Sequence, residues 1–181
     1  MKNSHPLNIV LVHGGFVDGS GWEGVYATLK NEGYRVSIVQ NPTTSLADDV
    51  AATKRTLARL DGPAILVGHS LGGTVLVNAL AEQTERKFGA IVLIAAPFIG
   101  DGGWSSDDLK SPHDLGARLP RDVPAHIYHG LEDETAPPSH GELYARAVPQ
   151  ARIHRLPGRD HQLNEDLKEV AAAIRSLDAG A

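Results

Sequence analysis

The chain has no cysteine. Disulfides and thiolate metal sites are therefore excluded, and with them the small secreted scaffolds that depend on either. It has one methionine, and aromatic residues make up only 5% of it, so a core must be built mainly from aliphatic side chains. No apolar run approaches the roughly 20 residues that a bilayer-crossing helix needs. Met1 to Leu7 is polar and lacks the apolar segment of a secretory signal. There is no basic run, and acids exceed bases to give a net charge of −5. Neither a nucleic acid nor a membrane is an expected partner. The expectation is a cytoplasmic, soluble protein, monomeric or homodimeric, whose 181 residues form one domain, 1–181, with room for a sizeable core.

What is present is a regular alternation. Leu7–Val12, Tyr34–Val39, Ala64–Val67, Gly89–Ala96, Ala125–Leu131 and Ala151–Leu156 read as six buried strands. Between them lie helical patterns. One starts near Trp22 and stops at Gly33. The next is capped by Ser45, with Asp48 completing a capping box and Leu46, Val50, Thr53, Leu57 and Leu60 as its inner stripe. Another begins after Pro137-Pro138, and the last is expected to be capped by Asn164. Ile99–Pro124 is the one long irregular stretch, with a helical turn near Leu115–Leu119. Near-continuous apolar strands alternating with helices predict an α/β fold, with about six parallel strands and helices on both faces. Right-handed crossovers bring all strand C-terminal ends to one edge, where such sheets bind ligands.

Pro63–Leu80 organises the rest. A buried strand runs into a helix through Gly68-His69-Ser70-Leu71-Gly72, a G-x-S-x-G turn. Glycines on either side remove Cβ atoms that would collide in so tight a turn. Ser70 then projects at the helix start, beside the free N–H of Leu71. A serine nucleophile needs a base, and the base needs an orienting acid, following in the order Ser, acid, His. Glu132-Asp133-Glu134 follows the fifth strand and His161 the sixth, both at the active edge. His161 is the expected base and Asp133 the expected acid, with Glu132, Glu134 and Asp101 as rivals. Asp160 adjoins His161 and is expected to point away. His13 is expected to brace the following glycine loop, His69 to point away from the site, and His129 to be a packed, satisfied core residue. The second oxyanion donor beside Leu71 falls to Gly15, with the Phe16 N–H as the alternative. Phe16, Phe98 and Trp104 are candidates for an apolar substrate pocket, whereas Trp22 reads as a helix anchor.

HGGF at 13–16, GHSLG at 68–72, HGLEDETAP at 129–137 and GRDHQ at 158–162 together resemble the α/β-hydrolase superfamily over nearly the whole chain. The early part is similar to esterase-like members related to plant methyl esterases and hydroxynitrile lyases, and the later part to compact, cap-less serine hydrolases. The resemblance implies a catalytic triad of Ser70, Asp133 and His161, with no metal and no cofactor. Two features depart from the family pattern. Its first two antiparallel strands have no counterpart ahead of Leu7–Val12, and 99–124 stands where a cap domain is normally inserted. Lyases of the related branch carry a threonine at the position of Gly14. The expected function is a carboxylesterase-type serine hydrolase (EC 3.1.1) acting on a small-molecule ester, with a thioesterase or amidase using the same triad, or a binding protein on this scaffold, as rivals.

Overall fold

The computed structural model describes residues 7–82, 88–112 and 114–179. Six strands, β1 (Asn8–Val12), β2 (Arg35–Val39), β3 (Ala64–His69), β4 (Ala90–Ile94), β5 (Ala125–Gly130) and β6 (Ala151–Leu156), form one sheet in the order β2-β1-β3-β4-β5-β6. Every pairing is parallel. β1, β3 and β4 are buried along their whole length, which is why each reads as a continuous apolar run. Successive side chains still alternate: Val10, Leu66 and Leu93 enter one core, and Ile9, Val67 and Val92 the other.

Helices cover both faces. α2 (Leu46–Ala58), α3 (Leu71–Ala81) and α5 (Ser139–Ala147) close the first core with Val50, Leu57, Leu76 and Tyr144. α1 (Glu23–Asn31) and α6 (Lys168–Ala179) close the second with Val25, Leu29, Val170 and Ile174. Trp22, 2% exposed, packs in that second core as an anchor. Among the described residues, no helix is long and apolar enough to cross a membrane.

Ser45 caps α2 as expected, its Oγ accepting the Asp48 N–H at 3.1 Å. The reciprocal half of the box differs. The Asp48 carboxylate takes the hydroxyls of Thr44 and Ser45. The cap expected at Asn164 is overturned. Asn164 lies in a short 3-10 turn (Leu163–Glu165) at φ +54°, and α6 starts at Lys168. Its side chain serves the loop before it: Oδ1 accepts the Asp160 N–H and Nδ2 donates to the Gly158 carbonyl.

The 99–124 segment forms no separate cap among its described residues. An Ile99–Trp104 bridge tightens its start, and α4 (Leu115–Arg118) follows. Ile99, Leu115, Leu119 and Val123 are buried, so the segment is packed down onto the domain.

The sharpest steric demand sits where β1 passes the start of α3. A Cβ on Gly72 would fall on the carbonyl oxygens of Val12 and His13. Gly72→Ala is therefore expected to cost on the order of 3 kcal/mol, because strand and helix must separate. Urea unfolding followed by circular dichroism checks this, and an unchanged midpoint would contradict the close approach.

Candidate active site

The turn from β3 into α3 holds Ser70 at φ +54° and ψ −133°, a conformation that non-glycine residues avoid. The crowding expected of its glycines is present. A Cβ on Gly68 would lie 2.7 Å from the Gly72 carbonyl oxygen and the Gly73 Cα. Two hydrogen bonds hold the turn, from the Ser70 N–H to the Ile94 carbonyl (2.9 Å) and from the Gly73 N–H to the Ser70 carbonyl (2.9 Å).

Three loops meet at Ser70. His161, beyond β6, has its Nε2 3.0 Å from Ser70 Oγ and its Nδ1 2.9 Å from Asp133 Oδ2. These contacts make Nδ1 the protonated nitrogen, donating to the carboxylate, and Nε2 the acceptor of the serine proton. Asp133, beyond β5, is 3% exposed. Its Oδ1 accepts the N–H groups of Thr135 (2.9 Å) and Ala136 (2.8 Å), so a short turn after β5 builds the carboxylate's own cradle. Burial pushes the Asp133 carboxyl up. The hydrogen bonds from the His129 and His161 side chains and the Ala136 N–H outweigh it, and the group is held well below the usual carboxylate range.

That depression has a sign. A carboxyl held below its unfolded value adds stability that is fully present above the ordinary range, near about pH 4, and drains as the pH falls toward the folded value. Asp133→Asn removes this contribution. The gap in urea midpoint between wild type and variant is thus expected to be widest at neutral pH and to narrow progressively below about pH 5. A gap independent of pH would contradict the depressed carboxyl.

The neighbouring histidines divide the remaining work. His13 braces its loop as expected: Nδ1–H donates to the Gly14 carbonyl (2.8 Å), and Nε2 accepts the Asn41 N–H (3.0 Å). Asn41 Nδ2 returns a bond to the His13 carbonyl, tying the loop after β1 to the loop after β2. His69 points away from Ser70 and donates from Nε2 to the His161 carbonyl at 2.8 Å. Burial pushes its imidazole down, which favours the neutral tautomer with the proton on Nε2. His129 is fully buried, with Nε2 2.7 Å from the Ala136 carbonyl and 3.3 Å from Asp133 Oδ2. Its Nδ1 has no partner among the described residues, so it is packed but only half satisfied, contrary to expectation. The second contact makes it a neighbour of the acid, which its strand position does not reveal.

The rivals to Asp133 lie elsewhere. Glu132, Glu134 and Asp101 are exposed. Asp160 turns away from the site, as expected, to accept the N–H groups of Gln162 and Asn164. Arg159, unremarked in the sequence, is 8% exposed and binds Asp166 and Glu169, pinning the histidine loop to the start of α6.

Gly14 and Gly15 lie over the nucleophile turn. A Cβ on Gly14 would be 3.0 Å from Ser70 Cβ, and one on Gly15 would be 2.8 Å from Leu71 Cδ1. Leu71 opens α3, where the helix leaves its N–H without an intrahelical acceptor. Beside these residues runs a cleft of about 610 Å³, lined by this loop, by 41–49, by the first turns of α3, and by Asp108 and Leu109. Phe16, fully exposed at φ +62°, is part of its wall. Phe98 and Trp104 are not in that wall. They stack edge-on against Tyr144 and His140, with centroids 5.1 and 5.6 Å apart. Among the described residues, no cluster of His, Cys, Asp and Glu has the makings of a metal site.

A six-stranded parallel sheet with a strained serine at its central turn, and a histidine and a carboxylate brought to it from later loops, is the plan of an α/β hydrolase. The model of the alpha/beta hydrolase family matches residues 9–174, and the chain belongs to that family. An AB hydrolase superfamily protein of Gibberella zeae is 37% identical over 87 residues, covering 42% of this chain and 30% of that protein. The 2-(acetamidomethylene)succinate hydrolase of Mesorhizobium japonicum is 38% identical over 79 residues, covering 44% of this chain and 27% of that enzyme. The chain thus spans less than a third of the length of these curated relatives. Among solved structures, an esterase from Exiguobacterium antarcticum superposes with a TM-score of 0.79 at 14% identity, over 96% of this chain and 92% of that one. A bromoperoxidase from Bacillus anthracis superposes with a TM-score of 0.77 at 18% identity, with the same coverage. At such identities the likeness establishes the fold alone.

Proposed function

We propose that this protein is a serine hydrolase that cleaves carboxylic esters of small or accessible substrates through an acyl-enzyme on Ser70. The observation that carries the reading is the continuous chain Ser70 Oγ, His161, Asp133, with contacts of 3.0 and 2.9 Å. His161 Nε2 takes the serine proton as Oγ bonds to the ester carbonyl carbon. The oxyanion that forms is held by the N–H groups of Gly15 and Leu71, each worth on the order of 10² to 10³ in rate. His161 returns the proton to the departing alkoxide, and the C–O bond breaks. A water then repeats the sequence against the acyl-enzyme and releases the acid. Asp133 holds the imidazole in the right tautomer and stabilises the imidazolium. Phe16 contributes apolar surface at the cleft, and neither metal nor cofactor takes part.

Among the described residues, 99–124 packs down onto the domain and forms no lid over Ser70. A site open to water favours hydrolysis of small or accessible esters over lyase or transferase chemistry, which profits from excluding water. The test is labelling with a fluorophosphonate probe read by intact mass, followed by matched ester, thioester and amide substrates. Stoichiometric labelling and fastest turnover of the ester are expected. A folded protein that resists the probe would point to a binding role on a hydrolase scaffold, and a preferred thioester or amide would reassign the substrate bond.

A further inference from the structure

The cleft beside Ser70 has a one-sided charge. Along its 41–49 wall several donors are already engaged. Asn41 gives its backbone N–H and one side-chain N–H to His13. The Thr43 N–H goes to Asp49 Oδ1. The hydroxyl protons of Thr44 and Ser45 go to Asp48, and that of Thr74, on the α3 wall, to the Pro97 carbonyl. The charged groups on the cleft are acceptors. The carboxylates of Asp49 and Asp108 line the cleft from α2 and from the long loop. Asn41 Oδ1, on the same wall, is buried and has no partner among the described residues.

Among the described residues, no lysine or arginine lines the cleft. The start of α2 would ordinarily attract an anion, but Asp48 and Asp49 already occupy its first turn. The surroundings have the same sign. In the loops at the C-terminal edge of the sheet (13–22, 40–49, 95–114, 131–138, 157–167), the only bases are Lys110 and Arg159. Arg159 is spent on Asp166 and Glu169.

We infer that the substrate is an ester bearing a protonated amine, with the ammonium lodged between Asp49 and Asp108, and that esters carrying a carboxylate or phosphate at that position are rejected. This rests on the proposed ester hydrolysis at Ser70. The ammonium pairs with the two carboxylates, and the excess of acids around the cleft concentrates a cation at its mouth.

Three butyrates of matched shape test it: 2-(dimethylammonio)ethyl, 3-methylbutyl and 2-carboxylatoethyl. A second matched set carries the same three groups at the end of the acyl chain. In at least one set, kcat/KM at low ionic strength is expected to be about tenfold or more higher for the cation than for the neutral ester, with the anion slowest. The gap should shrink in 0.5 M salt, as screening requires, and Asp108→Asn should reduce the cation-to-neutral ratio severalfold. Turnover of the neutral esters without charge discrimination in either set, or with the anion preferred, would overturn the inference and leave the esterase reading intact. Calorimetric binding of the same esters to Ser70→Ala reads the cleft without turnover. Cation binding about tenfold tighter than neutral would uphold the selectivity even if no ester is cleaved, and equal binding would refute it.

Discussion

Asp133→Asn is expected to lower kcat by on the order of 10⁴ with little change in KM. The carboxylate sits among four donors: His161 Nδ1 and His129 Nε2 on one oxygen, and the N–H groups of Thr135 and Ala136 on the other. An asparagine offers one oxygen and an NH₂. The two backbone donors, at 2.9 and 2.8 Å, claim the oxygen, because an NH₂ turned toward them would bury four unsatisfied hydrogens. The NH₂ then faces His161 Nδ1 and forces it to accept. The proton moves to Nε2, and the imidazole can no longer take one from Ser70. The loss belongs to the proton transfer and not to binding, which is why it falls on kcat. Steady-state kinetics on a neutral ester, with circular dichroism to confirm folding, makes the measurement. Near-normal turnover would move the acid's role to Asp101 or a neighbouring glutamate.

Ser70→Ala is expected to cost more, on the order of 10⁶ in kcat, because attack and proton transfer fail together. It should also abolish labelling by the fluorophosphonate. A companion variant separates chemistry from strain. Ser70 holds φ +54° and ψ −133°, a region that glycine enters freely and other residues enter at a cost of roughly 1 to 3 kcal/mol. Ser70→Gly should be equally inactive, yet more stable than wild type by about 1 kcal/mol once the greater unfolded-state entropy of glycine is subtracted. Chemical denaturation of the three proteins side by side checks this. A glycine variant no more stable than the alanine one would mean that the turn is unstrained.

These expectations draw on positions already visible in the sequence. The buried strands announce themselves because a parallel sheet covered on both faces wants apolar residues at every position, and Ile9–Val12 and Ile91–Ile94 supply them without alternation. Ser70, Asp133 and His161 are legible because strand ends converge in this architecture and because their motifs carry the family pattern. Less local features are hidden. Asn164 before two acids has the look of a helix cap, yet three successive residues from Leu163 to Glu165 take positive φ, and the helix starts only at Lys168. Neither spacing nor composition encodes that excursion. Phe98 and Trp104 follow an active-edge strand, and only packing decides that they turn to Tyr144 and His140. The contact of His129 with Asp133 depends on how tightly the turn after β5 closes, and the link from His69 to the His161 carbonyl joins residues 92 apart.

The strand order makes the outermost seam a condition of the chemistry. The nucleophile turn rises from β3 in the middle of the sheet, the acid loop follows β5, and the base loop follows β6 at the margin. The proposed base therefore reaches Ser70 only through the pairing of β6 with β5 and the anchoring of the loop beyond it by Arg159. Any opening of that margin would leave the scaffold with an inert alcohol.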